Sequence, residues 1–525
     1  MSIFGTSLLS IRKPSQQEAQ SNGSPPRWAI DVACVTALVV YFLHFALPAV
    51  AGNLNEDEMP ELWRYWYHGP LKWLWANICF WTPAPFYRPG GAFYYWPLYH
   101  FFGLAPQPYR IVQIAILAAS IPMLYYLSRC LVSSRLIAFL ATLALCYHPG
   151  LISLVFIGSF SYDILCGFFY FAALSYYLHI RETEAHLRPS QLIGFLALYV
   201  FALDFKEMAV TLPVIVLIYE VLKCHRWSDW RQFIGWTRSS AVPALVAGLL
   251  TALYIYGKTH GPGAMIKFDA YRPRYSCSHF LTTNAHFVSE LFYGFAIPKK
   301  ALLGLWALVF IYAFLRRDRM LRLMAFWIVI VPLPLAFIPL RGGAHLYLLL
   351  FGWAMIFAKV ASDFITLISK SLTLIKVPAP VFRVVAMLLV ACALAIFTHW
   401  ENQRFDLIHA FLRVGQKTSH VTQAFRSLDL HPAPGSTILL LPKEELFANE
   451  WNLAFLAALV WNDRSLQIWL QSHNELTRQQ VAKVPNMQIV GDIALSHNKL
   501  TPQQVAKSDY VISLSEFHAE VVRAP

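Results

Sequence analysis

The sequence predicts an all-α polytopic membrane protein with about eleven transmembrane helices, followed by a small α/β domain at the C-terminal end. Of its 525 residues, 57% are hydrophobic and only 14% are charged, whereas soluble chains carry about 25% charged residues. About eleven apolar runs approach the ~20 residues that one membrane span requires. Beyond residue 400 the pattern changes to short β-rich runs between helical stretches. These three observations exclude a soluble globular protein.

The loops between the apolar runs form two sets that differ in charge. The runs are centred near residues 40, 119, 143, 171, 197, 214, 248, 307, 331, 354 and 389, and the third to the sixth are short or interrupted. Alternate loops are short and basic, and the positive-inside rule places them in the cytoplasm. Their basic residues are Arg129, Arg135, Arg181, Arg188, Lys223, Arg226, Arg231, Arg238, Arg316, Arg317, Arg319, Arg322, Lys370 and Lys376. The formal net charge of +13 therefore reflects topology and does not indicate nucleic acid binding.

This charge pattern predicts three parts of the chain. Residues 1–27 form a basic cytoplasmic tail, and residues 28–399 form the multi-span domain, whose first external loop is 52–108. Because the span count is odd, residues 400–525 form an external soluble α/β domain. We expect the domain either to dock a substrate or to act as a lid over the external face.

Four strands and one internal repeat are expected in the C-terminal domain. The β-rich runs are 436–442, 466–470, 487–490 and 509–514. The segments HNELTRQQVAK (473–483) and HNKLTPQQVAK (497–507) repeat one another. In each copy a Thr precedes a Gln by three residues, as in a capping box, and Pro502 suits the first helical position.

The first external loop begins with packed acids. Glu56, Asp57, Glu58 and Glu61 lie within six residues, and 17 of the 40 residues from 63 to 102 are aromatic, against 15% for the whole chain. Such aromatic helices are typical of segments that lie flat in the membrane interface. The acids would then face a lipid-borne substrate, although acidic loops at a membrane boundary also occur without any such role.

Basic residues recur in the same external loops. Arg88 precedes Pro89 and can bind a lipid phosphate or simply reach the headgroups. Lys206 and Glu207 interrupt an apolar helical pair, which marks either a functional ion pair or a tight turn. Arg341 and His345 flank two glycines, and a cation beside a flexible turn suits a phosphate.

Two further polar residues flank the apolar external segment 149–162. His148 precedes this segment, and Asp163 begins the span that follows. An intramembrane carboxylate is a candidate for function. An acid at a helix N-terminus that complements the helix dipole is the favoured alternative for Asp163.

These motifs follow one order along residues 30–360. Acids after the first span, FYRP, Gly-x-x-Pro-x-x-Tyr, HP, SYDIL, FKEMAVTLP and Arg-x-x-x-His-x-Tyr occur in turn. The order resembles the membrane glycosyltransferases of the GT-C fold. Within them it is most similar to the branch of protein O-mannosyltransferases that carry tetratricopeptide repeats, and to their bacterial relatives. The C-terminal domain lacks 34-residue repeats, so the acceptor stays open.

The resemblance implies sugar transfer from a polyprenyl-phosphate-linked donor to a protein or glycan acceptor, on the external side of a bacterial cytoplasmic (inner) membrane. It implies a carboxylate pair as catalytic base, for which Asp57–Glu58 fits best and Glu56–Asp57 is the alternative. Chemical reasoning agrees, because a carboxylate can take the acceptor proton while cations stabilise the leaving phosphate. For the phosphate we expect Arg341, Lys206, Arg88 and His345, supported by Asp163, Glu207 and His148. In-line attack would invert the anomeric centre.

Two other classes of protein compete with this hypothesis. A transporter or flippase of a lipid-linked or anionic substrate also needs many spans and buried charges, but it would favour paired half-repeats. A scaffold whose C-terminal domain is the active part leaves the aromatic first loop unexplained. The sequence predicts no definite cofactor. Adjacent acids could hold a divalent cation, but no ligand set is complete.

Overall fold

A computed structural model gives the fold of most of the chain. It describes residues 26–81, 88–184, 186–223, 227, 229–260, 271–371, 378–471, 487–490, 493–496 and 502–524. In chain order the α-helices are α1 (Arg27–Ala46), α2 (Glu58–His68), α3 (Pro70–Ile78), α4 (Ala92–Phe102), α5 (Pro106–Leu131), α6 (Arg135–Cys146), α7 (Ser153–Phe156), α8 (Ser161–Thr183), α9 (Pro189–Phe205), α10 (Leu212–Lys223), α11 (Trp230–Ser239), α12 (Val242–Thr259), α13 (Cys277–Leu291), α14 (Lys299–Leu315), α15 (Arg319–Ile330), α16 (Leu333–Ala336), α17 (Tyr347–Ser371), α18 (Ala379–Arg404), α19 (Leu407–Leu412), α20 (Gln416–Ser427), α21 (Trp451–Trp461) and α22 (Pro502–Ala506). The strands are β1 (Thr437–Pro442), β2 (Gln467–Gln471), β3 (Met487–Val490), β4 (Ile493–Ser496), β5 (Tyr510–Leu514) and β6 (Ala519–Arg523).

Within the described ranges, seven helical segments are long and apolar enough to cross a membrane. They are Trp28–Ala51, Pro106–Leu131, Gly158–Thr183, Val242–Thr259, Arg319–Ala336, Gly343–Ser371 and Pro380–Arg404. A bent pair, Arg135–Cys146 with Pro149–Phe156, would make eight. The predicted class, a helical multi-pass membrane protein with a small C-terminal α/β domain, is confirmed.

The number of such spanning segments in the described ranges is lower than the eleven apolar runs of the sequence, because four of these runs form shorter helices. Helices α6 and α10 have 12 residues each, and α9 and α14 have 17 each. The chain breaks near polar residues and prolines: α6 ends just before His148 and Pro149, and α9 ends just before Lys206. These breaks bring polar side chains into the bundle.

Helix α8 organises the core of the bundle. It packs against α5 and α9, while α17 packs against α6, α15 and α18. The ring of Trp327 on α15 is fully buried and forms a cluster with Phe171 of α8 and Phe351 of α17. Large aromatic side chains thus join the central helices.

The basic loops and the first loop lie at opposite ends of the bundle. Arg181, Lys223 and Arg319, from three separate basic loops, line one cavity. The last turn of helix α8, which carries Arg181, lies at that end. The first residues of α8, Ser161–Asp163, lie at the opposite end and contact the first loop. We call the latter end the first-loop end. Its external position, and the predicted domain boundaries, stay predictions.

The C-terminal domain contains a six-stranded mixed sheet in the order β3-β4-β2-β1-β5-β6. Strand β1 is central and pairs in parallel with β2 and β5, while β3 and β6 are antiparallel edge strands. The four strands expected from sequence are confirmed. Strands β4 and β6 were missed, and β6 is largely exposed, so it lacks the regular alternation of buried residues that marks a strand in the sequence.

The repeat is only partly covered by the structure. Helix α22 begins at Pro502, which confirms the expected helix start of the second copy. The first copy, 473–483, including the capping pair Thr477 and Gln480, lies outside the described residues.

Candidate functional site

Helix α2 presents three different faces because of its helical period. With 100° per residue, side chains at spacings of three and four share a face. One face, toward the C-terminal domain, carries Met59, Trp63 and Trp66. A second face, toward the bundle, carries Glu58, Leu62 and Tyr65. The third face carries Asp57, Glu61 and Arg64. Adjacent acids therefore point into different environments, although the sequence places them together.

Glu58 points into the bundle and forms a buried ion pair. Its Oε2 atom lies 3.0 Å from Nη2 of Arg110, and neither side chain is exposed. The backbone N–H of Asn55 donates to the same oxygen over 2.8 Å, and Arg110 also donates to Gln113 over 3.1 Å. Gly158 packs so closely that a Cβ there would lie 1.9 Å from Oε1 of Glu58. This geometry anchors α2 and leaves Glu58 no access to a substrate.

Glu56 contacts the C-terminal domain. Its Oε2 atom accepts a hydrogen bond of 3.1 Å from the backbone N–H of Ala448. Partial burial raises the pKa of Glu56, and the negative charge of Asp57 raises it further. Glu56 therefore connects the first loop to the sheet domain.

Asp57 is the exposed member of the predicted carboxylate set. It lies at the N-cap of α2, and its side chain reaches solvent. The surrounding protein displaces part of its hydration, which raises the pKa of Asp57, and the charge of Glu61 adds to the rise. Of the three candidates for the base, Asp57 is thus the most exposed to solvent.

Glu61, one helical turn beyond Asp57, is fixed by hydrogen bonds. Nη1 of Arg64 donates to its Oε2 over 3.0 Å, and the hydroxyl of Tyr162 donates to the same atom over 2.5 Å. The hydroxyls of Tyr162 and Tyr65 lie 2.8 Å apart, and Tyr65 donates to the backbone oxygen of Arg88. These bonds tie the charged face of α2 to the start of α8.

Arg88 and Glu207 meet across 119 residues of sequence. Nη2 of Arg88 donates to both carboxylate oxygens of Glu207, over 3.0 and 3.2 Å, and both side chains are mostly buried. The guanidinium carbon lies 5.1 Å from the ring centre of Tyr162. The predicted phosphate ligand Arg88 is therefore oriented by a carboxylate and an aromatic face.

Asp163, Lys206 and His345 converge from three separate elements. Nζ of Lys206 lies 2.5 Å from Oδ1 of Asp163 and 2.7 Å from Nδ1 of His345, and the latter two atoms are 3.1 Å apart. Lys206 and Asp163 are buried, whereas the imidazole is 19% exposed. Because Lys206 and Glu207 are neighbours, this triad adjoins the pair formed by Arg88.

The loop that carries His345 also carries Arg341. The guanidinium carbon of Arg341 lies 5.3 Å from the ring centre of Tyr271. Gly343 has a positive φ of 58°, and its N–H donates to Oε2 of Glu290 over 2.6 Å. A Cβ at Gly342 would lie 2.2 Å from that carboxylate, so the glycines let the loop close around Glu290.

His148 has a structural environment. Its Nδ1 atom accepts from the N–H of Gly150 over 3.1 Å, so its Nε2–H donates to the oxygen of Leu291, also at 3.1 Å. The ring is buried and stacks on Tyr293, with 4.6 Å between ring centres. We therefore assign His148 to the packing of the loop before α7.

Several residues of this site escaped sequence analysis. Arg110 and Tyr65 show no motif beyond their place near apolar runs, and Tyr162 stands in SYDIL, where only Asp163 was given a role. Asp204 lies beside Lys206 in the sequence and is 2% exposed; the charge of Lys258 acts on it. Its position, just before the Lys206–Glu207 break in an apolar run, is the signal that could have identified it.

A metal site finds little support in the arrangement of side chains. Over the ranges that the structure describes, no group of three His, Cys, Asp or Glu side chains converges as metal ligands. Asp57 and Glu61 share a face of α2, but Glu61 is already held by Arg64 and Tyr162. We therefore derive no chemical step through a metal.

Comparison with solved structures gives distant likenesses of fold. The sequence matches no family model and no curated protein. It is similar to the crystal structure of ArnT from Cupriavidus metallidurans bound to undecaprenyl phosphate, with 13% identity, a TM-score of 0.48, and coverage of 85% of this chain and 87% of that chain. For ArnT in the apo state the identity is 14%, the TM-score 0.46, and the coverage 84% and 85%.

Proposed function

We propose that the chain is a membrane glycosyltransferase of the GT-C type, which moves a sugar from a polyprenyl-phosphate-linked donor to an acceptor at the first-loop end. The observation that supports this proposal most strongly is that charged side chains from distant parts of the chain converge in one place. Glu61, Arg88, Asp163, Lys206 and His345, from five segments far apart in sequence, are joined in one network through Tyr162 and Glu207. Asp57 lies one helical turn before Glu61, whose charge acts on it.

Asp57 acts as the general base in this proposal. Its carboxylate is exposed, and its pKa is raised by partial desolvation and by Glu61. A base whose pKa lies nearer the working pH transfers a proton more effectively. Glu58 and Glu56 hold α2 in place and do not compete for the acceptor.

The cations stabilise the leaving phosphate. Glu207 orients Arg88, and Asp163 orients Lys206, so both positive groups are held before the donor arrives. Preorganised charges of this kind lower the barrier more than mobile ones because they need no rearrangement during the reaction. Arg341 and the partly exposed His345 border the same region from the loop before α17.

The proposed transfer forms one bond at the anomeric carbon and breaks another. The acceptor hydroxyl loses its proton to Asp57 as its oxygen attacks the anomeric carbon. The bond between that carbon and the phosphate oxygen breaks, and its electron pair leaves with the polyprenyl phosphate. Attack opposite to the leaving group inverts the anomeric centre. A hexosyl or mannosyl donor and a protein or glycan acceptor are parts of the proposal.

A transporter is the competing proposal. It would require charged groups along a path between the two ends of the bundle. Asp57, Arg88 and Lys206 instead cluster at the first-loop end, and the basic residues Arg181 and Lys223 lie at the other end. This segregation favours a reaction at one membrane face.

The full-length protein in lipid nanodiscs allows a direct test. We expect native mass spectrometry to detect bound undecaprenyl phosphate, and Lys206→Gln to weaken this binding at least tenfold. Lys443→Gln is the matched control, because Lys443 is an exposed lysine that pairs with Glu520 in the sheet domain. The proposal fails if the wild-type protein binds no polyprenyl phosphate.

A further inference from the structure

A cavity of about 700 Å³ separates the first loop from the C-terminal domain. Trp66 of α2 and Trp96 and Tyr99 of α4 form one wall, while Arg426 at the end of α20 and Arg464 after α21 form the other. We call it the loop–domain cavity. Its volume falls within the range of about 300–1,000 Å³ that is common for sites of small ligands.

Direct contacts between the first loop and the C-terminal domain fix the two walls of the cavity relative to each other. The hydroxyl of Tyr99 donates to the backbone oxygen of Leu459 on α21 over 2.7 Å. The rings of Trp63 and Phe455 lie 4.8 Å apart. The cavity is therefore a feature of a packed interface and has a defined shape.

The aromatic wall suits the apolar faces of sugar rings. Trp96 stacks on His100 with 5.1 Å between centres and 5° between planes, while Tyr99 meets Trp66 edge to face at 6.1 Å. Trp96, which is half-buried, offers a flat surface to the C–H face of a pyranose, whereas Trp66 and Tyr99 are mostly buried. Polar edges from His100 and Asn462, which also line the cavity, can bond its hydroxyls.

The opposite wall carries an excess of positive charge. Arg426 and Arg464 are exposed, and Arg464 also lies 5.4 Å above the ring of Trp66. Burial raises the pKa of the Tyr99 hydroxyl, and both arginines oppose the rise, which places both charges near that group. The carboxylate of Asp463 accepts hydrogen bonds from the N–H and hydroxyl of Ser465, over 2.8 and 2.7 Å. The cavity thus favours an anionic ligand.

Helix α2 connects the cavity to the proposed base. Trp66 lies nine residues beyond Asp57, which corresponds to about 14 Å along the helix axis. The two side chains are on different faces of α2. A ligand that spans from one to the other must therefore be an extended chain and not a monosaccharide.

We propose that the loop–domain cavity binds an anionic oligosaccharide, and that this oligosaccharide is the acceptor of the sugar transfer. The second part rests on the proposed glycosyltransferase function. The first part rests on the aromatic wall, the two arginines and the size of the cavity. The chemical class is a chain of several sugars that bears carboxylate or phosphate groups.

Saccharide binding to the full-length protein in detergent tests the proposal. The anionic probe is tetragalacturonate, and maltotetraose is the neutral control of equal length. We expect tetragalacturonate to bind at least tenfold more tightly than maltotetraose, as measured by isothermal titration. The double variant Arg426→Gln/Arg464→Gln should lose at least tenfold in affinity, and Trp96→Leu should weaken both saccharides. Lys443→Gln, an exposed lysine outside the cavity, should change neither value.

Each of four results would overturn the inference. Equal binding of both tetrasaccharides, or unchanged binding in the double variant, removes the role of the arginines. Displacement by inorganic phosphate at the same concentration as by tetragalacturonate indicates a general anion site. Binding of an acidic peptide without saccharide binding indicates a protein acceptor.

A parallel measurement of undecaprenyl phosphate binding separates the two proposals. If the protein binds the saccharide but not polyprenyl phosphate, the proposal for the loop–domain cavity stands and the proposed transferase function is refuted. If the protein binds polyprenyl phosphate but not the saccharide, only the proposal for the loop–domain cavity is refuted. Melting temperatures within about 2 °C of the wild type show that the variants fold, because surface substitutions change stability little.

Discussion

Among the acids that open the first loop, Asp57 differs from its neighbours through its surroundings. Glu58 is buried against Arg110, Glu56 bonds the sheet domain, and Glu61 accepts from Arg64 and Tyr162. Asp57 keeps an exposed carboxylate beside a second negative charge. At the residue scale, function therefore depends on which way each side chain points.

Asp57→Asn should lower the rate of sugar transfer about 10²–10⁴-fold, because the amide keeps the shape and removes the base. Donor binding should change little, since the cations of the site remain. A transfer assay with a polyprenyl-phosphate-linked sugar gives the rate. Asp406→Asn is the control, because this exposed aspartate lies outside the site and asparagine suits its left-handed backbone. An unchanged rate in Asp57→Asn would assign the base elsewhere.

The pH dependence of transfer should report the raised pKa of Asp57. The base works when ionised, so kcat/KM should fall as the pH decreases through that pKa. Glu61→Gln removes the like charge that raises the pKa, so the acidic limb should move to lower pH. A pH–rate profile of both proteins measures the shift. An acidic limb that stays in place, or moves to higher pH, would contradict the assignment.

Arg341→Ala should lower the rate of sugar transfer from the donor strongly and the melting temperature only slightly. The reason is that a cation near the leaving phosphate acts mainly in the transition state. Arg341→Lys should rescue only part of the activity, since the planar guanidinium is lost. Steady-state kinetics and a melting curve for each variant separate the two effects. Full activity in Arg341→Ala would remove this residue from the site.

At the scale of elements, the ion pair between Glu58 and Arg110 fixes α2 against α5. Neither side chain is exposed, and Arg110 also donates to the backbone oxygen of Asn53. The breaks before Pro149 and after α9 similarly place His148 and Lys206 inside the bundle. Charged anchors and broken helices, which an apolar bundle would otherwise avoid, hold the parts of the site in position.

Glu58→Gln should destabilise the protein by about 3–5 kcal/mol, because it leaves the buried guanidinium without a counter-charge. Glu58→Met/Arg110→Met removes both charges and should recover part of that loss. Reversible denaturation in mixed micelles measures the free energy of unfolding. If Glu58→Gln unfolds like the wild type while losing activity, Glu58 has a direct catalytic role after all.

At the scale of the whole molecule, the site and the basic loops occupy opposite ends. The segregated charge agrees with the alternating loops of the sequence and with our proposal of a reaction outside the cytoplasm. The C-terminal domain lies against α2 and contributes half of the loop–domain cavity. One external surface would thus contain both the donor site and the acceptor site.

Reporter fusions after residue 410 and after residue 230 should report opposite sides of the membrane, the first external and the second cytoplasmic. The physical reason is the basic loop around residue 230, which the positive-inside rule retains in the cytoplasm. Alkaline phosphatase and green fluorescent protein provide the two readouts. The same side for both fusions would refute the predicted topology.

The sequence by itself determined the class of the protein, because hydrophobic runs and loop charge are local properties that a membrane acts on directly. It also identified four of the six strands, and it indicated Asp57, Arg88, Asp163, Lys206 and His345 as candidate charges in the external loops or at the span ends beside them. These signals need no knowledge of which helix packs against which.

Only the tertiary structure decided how these charges are paired. Glu58 and Asp57 are adjacent in sequence, yet a 100° rotation along α2 buries one against Arg110 and exposes the other. The contact of Arg88 with Glu207 spans 119 residues, and the loop–domain cavity joins segments more than 300 residues apart. Such contacts depend on helix packing across the whole bundle, and no local pattern in the chain encodes them.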